Sequence, residues 1–337
     1  MKPPLLELRQ LSKRFEKRLD LAGRVARALG GAAREETVHA VDRVDLQVHD
    51  GEVVGLVGES GCGKSTLARL VAGLHAPSGG EILWDGHRLQ DLDTAARKAA
   101  RLQTQMIFQD PFASLNPRLR VVDLVGEAPV VHGLVKPAQR DEWVGEQLRR
   151  VGLDPALADR FPHQFSGGQR ARVGIARALA VQPRFLICDE AVAALDVSIQ
   201  AQVLNLFMEL RETLALTYLF ISHDLGVVRH LCDRVVIMYL GRVVESAPAA
   251  EFFDRPEHPY AQALLAEVPR LEARRKDFVA ISGEIPSPLN PPSGCHFHPR
   301  CPHANARCRS EAPALQAIAP GRFVACHLHD PSLPSTS

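Results

Sequence analysis

The chain has 337 residues, of which 46% are hydrophobic and 23% charged, with a formal net charge of +1. This length suits one large domain or one domain with a smaller one, and the near-neutral charge gives no broad electrostatic case for nucleic-acid binding. No apolar run approaches the roughly 20 residues that span a bilayer, and the N-terminus lacks the apolar core of a secretion signal, so we expect a cytosolic chain that meets a membrane only through a partner.

The first part of the chain favours short strands around an inserted segment. Apolar residues alternate over residues 5–8 and 44–48, as in half-buried strands. Residues 16–37 between them are rich in Arg and Ala, and we interpret them as a surface insertion, with a partner or membrane-surface contact as the alternative. An apolar strand over residues 52–57 leads into the next motif.

Residues 58–65 read GESGCGKS, which matches the phosphate-loop pattern G-x-x-x-x-G-K-[ST] between a strand and a helix predicted from Lys64 to Leu74. The loop backbone wraps phosphate oxygens, Lys64 reaches the β- and γ-phosphates, and Ser65 holds Mg²⁺ with Thr66 beside it. The nucleotide-binding residues predicted here are Gly58, Glu59, Ser60, Gly61, Cys62, Gly63, Lys64, Ser65 and Thr66.

Three further apolar strands end in polar residues that suit phosphate chemistry. Gln109 follows the first strand, Asp189 and Glu190 end the second, and His223 follows the third. In such a site Asp189 orients Mg²⁺, the next acid polarises an attacking water, and the histidine contacts the γ-phosphate. Gln109 reaches Mg²⁺ or the attacking water.

A second phosphate-binding turn lies about 100 residues after the first, at FSGGQ in residues 165–169. It precedes a helix-compatible segment, residues 170–180, so its N–H groups and the Ser166 hydroxyl lie at a helix N-terminus that favours anions. Two such turns in one chain suggest that each serves a different nucleotide. Residues 110–165 favour helices and a separate subdomain, and strand–helix alternation around them indicates a P-loop α/β core.

Cysteines, histidines and prolines accumulate after about residue 250. Four cysteines, Cys295, Cys301, Cys308 and Cys326, have the spacing C-x5-C-x6-C-x17-C, whereas Cys62, Cys188 and Cys232 lie in the phosphate loop or in apolar contexts. Structural disulfides are improbable in a cytosolic chain. Four thiolates hold either a [4Fe–4S] cluster or Zn²⁺, and the absence of C-x2–4-C knuckles weakens zinc.

Taken in order, these motifs resemble the ABC (ATP-binding cassette) ATPases over residues 5–250. The resemblance implies an α/β fold: a P-loop (RecA-like) ABC nucleotide-binding domain with an antiparallel β-subdomain and a helical subdomain. The implied division is an ATP-binding domain at 1–250, with the insertion at 16–37 and the helical subdomain at 110–165, and a small Cys-rich C-terminal module at 251–337.

The resemblance also implies roles for individual residues. Glu190 is the general base, His223 the switch histidine, and Gln109 the link to a transmembrane partner. Asp196 belongs to a dimer-facing loop, and Phe15 stacks on adenine. Ser166, Gly168 and Gln169 form the signature that closes over ATP held by an opposing subunit. Two departures stand out: Phe165 replaces the usual Leu, and residues 191–193 read Ala-Val-Ala instead of the frequent Pro-Thr-Ser.

Three shorter segments resemble the oligopeptide/dipeptide importers, which are peptide and nickel transporters: residues 110–118, 196–202 and His258-Pro259-Tyr260. That resemblance implies ATP, Mg²⁺ and a [4Fe–4S] cluster on the four clustered cysteines, with zinc as the alternative. Its implied partners are a paralogous ATPase subunit, or a second copy, two transmembrane permease subunits and, indirectly, a substrate-binding protein. The chain then lies on the cytoplasmic face of the cell membrane and powers peptide uptake, with nickel, glutathione or opine-type cargo as alternatives.

Other classes of ABC ATPase fit the sequence less well. A chromosome or repair ATPase needs a long heptad-repeat arm between the two phosphate turns, and the intervening residues hold no sustained heptads. A translation factor of this family normally carries two cassettes. A redox- or metal-sensing protein, in which ATP binding is regulatory, remains an alternative.

Overall fold

The computed structural model of the chain describes residues 3–17, 36–110, 113–267 and 283–330. It has two β-sheets with helices packed between and around the strands. The strands are β1 (Leu6–Lys17), β2 (Glu36–Val48), β3 (Val53–Val57), β4 (Gly79–Trp84), β5 (His87–Arg88), β6 (Thr104–Ile107), β7 (Phe185–Asp189), β8 (Thr217–Ile221), β9 (Arg234–Tyr239), β10 (Arg242–Pro248), β11 (Gln316–Ala319) and β12 (Arg322–Val324). The α-helices are α1 (Lys64–Val71), α2 (Thr94–Gln103), α3 (Val121–Val131), α4 (Arg140–Arg150), α5 (Gly167–Leu179), α6 (Val197–Leu214), α7 (Leu225–Leu231), α8 (Ala249–Asp254), α9 (Pro259–Ala266) and α10 (Ala306–Ser310).

The larger sheet has the order β11-β12-β10-β9-β3-β8-β7-β6, and its members from β9 to β6 run parallel. Every residue of β3, β7 and β8 is buried, which explains why these strands are continuous apolar runs in the sequence. The predicted α/β core is therefore confirmed. Parallel strands end at one edge of a sheet, so the polar residues after β6, β7 and β8 are brought together there.

The smaller sheet is antiparallel, in the order β2-β1-β4-β5. Its first two strands are longer than the sequence patterns indicate: Glu16 pairs with Thr37 and Lys17 with Glu36, so both ends of the predicted insertion are strand. The remaining residues of that insertion, 18–35, lie outside the described residues, as do residues 111 and 112 of the segment shared with peptide importers.

Helices α3 and α4, with short 3₁₀ turns, fill residues 121–164 before the second phosphate turn. Their apolar side chains, among them Val125, Val144 and Leu148, join the same hydrophobic core as α5. No helix in the described ranges is long and apolar enough to cross a membrane.

The region after residue 250 is joined to the core instead of standing apart from it. Strand β12 pairs with β10 and so extends the main sheet, and Tyr260 and Phe297 belong to the main hydrophobic core. The rings of Tyr260 and Phe297 both pack on Tyr239 at the end of β9, with ring centroids 4.6 and 5.3 Å away. This packing brings the cysteine-containing segment to the phosphate-loop side of the sheet.

Candidate functional site

The phosphate loop connects β3 to α1, and its shape depends on glycine. Gly61 and Gly63 have φ values of +78° and +107°, which other residues adopt only with strain. A Cβ at Gly63 would lie 2.1 Å from the carbonyl oxygen of Ala40 on β2, and one at Gly58 would lie 2.2 Å from that of Met238. Two neighbouring strands therefore press on the loop from outside. The helix after it ends at Val71, earlier than predicted, and Gly73 reverses the chain with a φ of +71°.

Lys64 is turned into the loop. Its side chain is only 4% exposed, and its ammonium nitrogen donates hydrogen bonds to the carbonyl oxygens of Gly58 at 2.7 Å and Glu59 at 3.0 Å. These contacts hold the charge against the loop backbone, where the sequence predicts phosphate oxygens.

Ser65 and Asp189, two of the three residues predicted to hold Mg²⁺, are in contact. The Ser65 hydroxyl donates to the Asp189 carboxylate at 2.9 Å, across the gap between α1 and the end of β7. Burial raises the pKa of the Asp189 carboxyl, and the bond from Ser65 opposes that rise. A buried carboxylate next to a hydroxyl is a donor pair that suits a hard divalent cation.

Gln109, the third of those residues, lies instead beside Glu190. Its side-chain amide donates to a Glu190 carboxylate oxygen at 2.7 Å, and Nδ1 of His223 lies 3.5 Å from the same oxygen. Glu190 has a φ of +50°, unusual for a non-glycine residue, and its N–H donates to the carbonyl of Ile221. A backbone held this way at a site marks a position worth its strain. The three predicted reactive side chains thus form one cluster at the ends of β6, β7 and β8.

The second phosphate turn begins α5. The Ser166 hydroxyl accepts from the Gln169 N–H at 3.3 Å, and the Gln169 side chain accepts from the Ser166 N–H at 3.0 Å, which is a capping box. The helix starts at Gly167, earlier than predicted, because this cap incorporates the glycines. A Cβ on Gly168 would lie 2.4 Å from Ile199 of α6, and Phe165 is buried in the core. Ser166 is exposed to solvent.

Two predicted residues lie apart from these clusters. Phe15 is on β1, 38% exposed, with the Lys13 ammonium over its ring and His75 at its edge. Asp196 begins α6, where its carbonyl accepts from the N–H of Gln200 and its side chain is exposed.

The four clustered cysteines line one small cavity. Histidines share that lining, and the residues are His258, Cys295, His298, Cys301, His303, Cys308, Cys326 and His327, among others. Burial, reinforced by the neighbouring thiols, raises the pKa of Cys326 to about 11 and also raises those of Cys295 and Cys301. Among the described residues no group of three or more His, Cys, Asp or Glu is arranged to hold a metal ion.

Two residues that contact the phosphate loop had not been predicted as site residues. Tyr260 accepts a hydrogen bond from the Glu59 N–H at 2.9 Å, and Arg300 donates to both Glu59 carboxylate oxygens at 2.7 and 3.0 Å. The His-Pro-Tyr segment was visible in the sequence as a family mark, without any sign of this contact. No local pattern marks Arg300.

Two family models match this sequence. Residues 41–193 match the model described as ABC transporter, and residues 244–308 match the model described as the C-terminal region of oligopeptide/dipeptide transporters. The first match contains the phosphate loop, the second phosphate turn and Glu190. The second contains Tyr260, Arg300 and three of the clustered cysteines.

Known proteins resemble the chain over nearly its whole length. The oligopeptide transport ATP-binding protein AppF of Bacillus subtilis (strain 168) is 49% identical over 329 residues, which cover 96% of this chain and 97% of AppF. The probable peptide ABC transporter ATP-binding protein y4tS of Sinorhizobium fredii is 50% identical over 296 residues, covering 88% and 84%.

Solved structures show the same fold. CbiO1 from Clostridium perfringens, part of the ABC transporter complex cbiONQ, has a TM-score of 0.60 at 28% identity and covers 75% of this chain and 92% of its own. The dimeric ATP-binding cassette MJ0796, in a post-hydrolysis state bound to ADP and Pi, has the same TM-score and identity and covers 72% and 98%.

Proposed function

Because this chain belongs to the ATP-binding proteins of the ABC transporter family and carries the C-terminal region of the oligopeptide/dipeptide transporters, we propose that it hydrolyses ATP to power the uptake of peptides through a separate permease. The observation that carries the proposal is the cluster of Glu190, Gln109 and His223 beside the Ser65–Asp189 pair. The names of the relatives AppF and y4tS support peptides as the cargo, with nickel, glutathione or opine-type compounds as alternatives.

Each part of the cluster has a defined task in this proposal. The loop N–H groups and Lys64 bind the phosphates, and Ser65 and Asp189 hold Mg²⁺, which neutralises charge on the phosphate oxygens. Glu190 accepts a proton from the attacking water, while Gln109 holds the carboxylate from the opposite strand end. His223 reaches the γ-phosphate and reports whether it is present.

The second phosphate turn serves the ATP of an opposing subunit in this scheme. Support comes from the exposed Ser166 at the N-terminus of the 13-residue helix α5, a position where N–H groups and the helix dipole favour an anion. The resemblance to the dimeric MJ0796 cassette supports the same arrangement. We propose a paralogous ATPase as the opposing subunit, with a second copy of this chain as the alternative, and a location on the cytoplasmic face of the membrane.

We assign a [4Fe–4S] cluster to Cys295, Cys301, Cys308 and Cys326, with zinc as the alternative. The four thiols line one cavity, while no described group is arranged for a single ion, and that combination favours a larger cofactor. His258 adds a second argument. Its Nδ1 accepts from the Tyr260 N–H, so the ring proton is on Nε2, and this buried Nε2 has no hydrogen-bond partner among the described residues. Cluster sulfurs are acceptors that would satisfy it.

The function is tested by reconstituting the chain with its paralogue and permease in vesicles that contain the binding protein. We expect ATP-dependent accumulation of labelled di- or oligopeptides, and none when Glu190→Gln replaces the native chain. ATP hydrolysis without peptide uptake, but with uptake of nickel, would assign the alternative cargo. An assembled transporter that neither hydrolyses ATP nor moves any of these compounds would refute the proposal.

A further inference from the structure

The second residue of the phosphate loop, Glu59, is held by the C-terminal region at two places. Its N–H donates to the Tyr260 hydroxyl at 2.9 Å, and its carboxylate accepts two hydrogen bonds from the Arg300 guanidinium at 2.7 and 3.0 Å. Its carbonyl accepts from Lys64. Every polar group of Glu59 is therefore engaged, and two of the three partners lie 201 and 241 residues further along the chain.

Arg300 is a rigid partner in this contact. Its side chain is 4% exposed, its guanidinium lies 5.9 Å from the ring centre of Tyr239 and 6.0 Å from that of Phe297, and Nη1 also donates to the Tyr239 hydroxyl at 3.4 Å. A planar guanidinium that meets a carboxylate with two parallel bonds fixes direction as well as distance. Lysine, a point charge, would not reproduce that geometry.

The position of Arg300 depends on the turn between two of the clustered cysteines. Residues His298–Arg300 form a 3₁₀ turn between Cys295 and Cys301. The His298 ring bonds the Cys295 carbonyl at 2.9 Å, and the Cys301 N–H donates to the His298 carbonyl. We name residues 295–301 the cysteine turn.

Phe297 connects the cysteine turn to the other group that holds Glu59. Its ring is buried and lies 5.4 Å from that of Tyr260 and 5.3 Å from that of Tyr239. Movement of the cysteine turn would therefore displace both Arg300 and Tyr260 from the phosphate loop.

We propose that Arg300, supported by Tyr260, is a positioning residue for the phosphate loop, and that an ordered cysteine turn sets the affinity of the protein for ATP. The inference rests on the proposed function only in that the loop must bind ATP. It assigns the C-terminal region a task in nucleotide binding in addition to a cofactor site. Holding Glu59 keeps the loop N–H groups directed at the phosphates before the nucleotide arrives, so less order has to be imposed on binding.

The test compares full-length variants by calorimetric titration with ATP and Mg²⁺ and by steady-state ATP hydrolysis. We expect Arg300→Met to raise the Kd and KM for ATP about tenfold, a typical size for coupling between sites, with a smaller change in kcat. Arg300→Lys should recover little of the loss. Glu59→Gln should weaken binding similarly, and the double variant should be no weaker than the single ones, because all three remove the same ion pair.

Arg307→Met is the matched control. Arg307 lies in the same region, pairs with Glu311 and Asp330 and does not touch the loop in the structure, so its loss should leave the Kd unchanged. Equal loss in Arg307→Met and Arg300→Met would mean general destabilisation and would overturn the inference, as would a folded Arg300→Met with native affinity.

Two milder changes keep the test valid if Arg300→Met does not fold. Tyr260→Phe removes only the oxygen that accepts from the Glu59 N–H and should raise the Kd a few-fold. Cys301→Ser disturbs the cysteine turn itself and should raise the Kd as Arg300→Met does, without a further rise in the double variant. Native Kd values in both would overturn the inference, whereas a native chain that binds no ATP would refute the proposed function instead.

Discussion

The side-chain amide of Gln109 donates a hydrogen bond to the carboxylate of Glu190 at 2.7 Å, across 81 residues of sequence. The two residues follow adjacent parallel strands, β6 and β7, so any displacement of the segment after β6 acts directly on the Glu190 carboxylate. Since a permease contact is assigned to Gln109 by family resemblance, this bond provides a direct route from the transmembrane partner to the proposed general base.

Replacing Glu190 by Gln should stop hydrolysis without preventing ATP binding. The amide keeps the size of the side chain but cannot accept the proton of the attacking water, so kcat should fall about 10²-fold or more. An ATP-bound dimer should accumulate and be detectable by size-exclusion chromatography. Glu212→Gln, on the exposed face of α6, should behave as the native chain. Near-native turnover in Glu190→Gln would assign the proton acceptor to another residue.

Lys64→Ala should abolish measurable ATP binding. The buried ammonium that bonds the carbonyls of Gly58 and Glu59 would be lost, and with it the positive charge nearest the predicted phosphates. Removing it also leaves two carbonyl oxygens short of a donor, which should lower the free energy of unfolding by about 1–3 kcal/mol. Calorimetry and chemical denaturation measure the two effects. Lys98→Ala on the exposed part of α2 is the control, and native affinity in Lys64→Ala would contradict the site assignment.

The residues around the proposed reaction were predictable because their signals are local. Asp189, Glu190 and His223 each follow a short apolar run, and parallel strands place such residues together. The capping box of Ser166 and Gln169 was also present as a sequence pattern. It was not used, since the two glycines suggested that the helix begins after them.

The contacts of Glu59 could not be predicted because nothing local encodes them. Tyr260 and Arg300 reach the loop only after β10 and β12 have joined the C-terminal region to the sheet. Strand β12 is three residues long and shows too little alternation to be recognised in advance. A single ion pair across 241 residues depends wholly on that tertiary packing.

Gly63→Ala should damage the phosphate loop more than Gly61→Ala, although both glycines have positive φ. A methyl group at Gly63 meets the Ala40 carbonyl, whereas at Gly61 nothing lies within 4 Å. Gly61→Ala should cost only the left-handed conformation, about 1–2 kcal/mol, and Gly63→Ala should cost more because β2 must also move. Denaturation without nucleotide measures this difference. Equal costs would mean that β2 yields freely to the loop.

Two substitutions separate the capping and nucleotide roles of Ser166. Ser166→Ala removes the cap and should lower the free energy of unfolding by about 1 kcal/mol, whereas Ser166→Asn retains a capping oxygen and should be close to native. Both should reduce ATP-dependent dimerisation and turnover, because neither presents a serine hydroxyl to the opposing nucleotide. Native turnover in Ser166→Asn would restrict the residue to helix capping.

The protein purified without oxygen should contain iron and acid-labile sulfide in equal amounts. Cys295, Cys301, Cys308 and Cys326 line one cavity, and each change to Ser should remove most of both elements. The melting temperature should also fall, since a cofactor that binds only the folded state stabilises it. Cys232→Ala, a core position outside this cavity, should retain the iron. Zinc without sulfide would establish the alternative, and unchanged ATP hydrolysis in all four Ser variants would limit the cluster to a structural role.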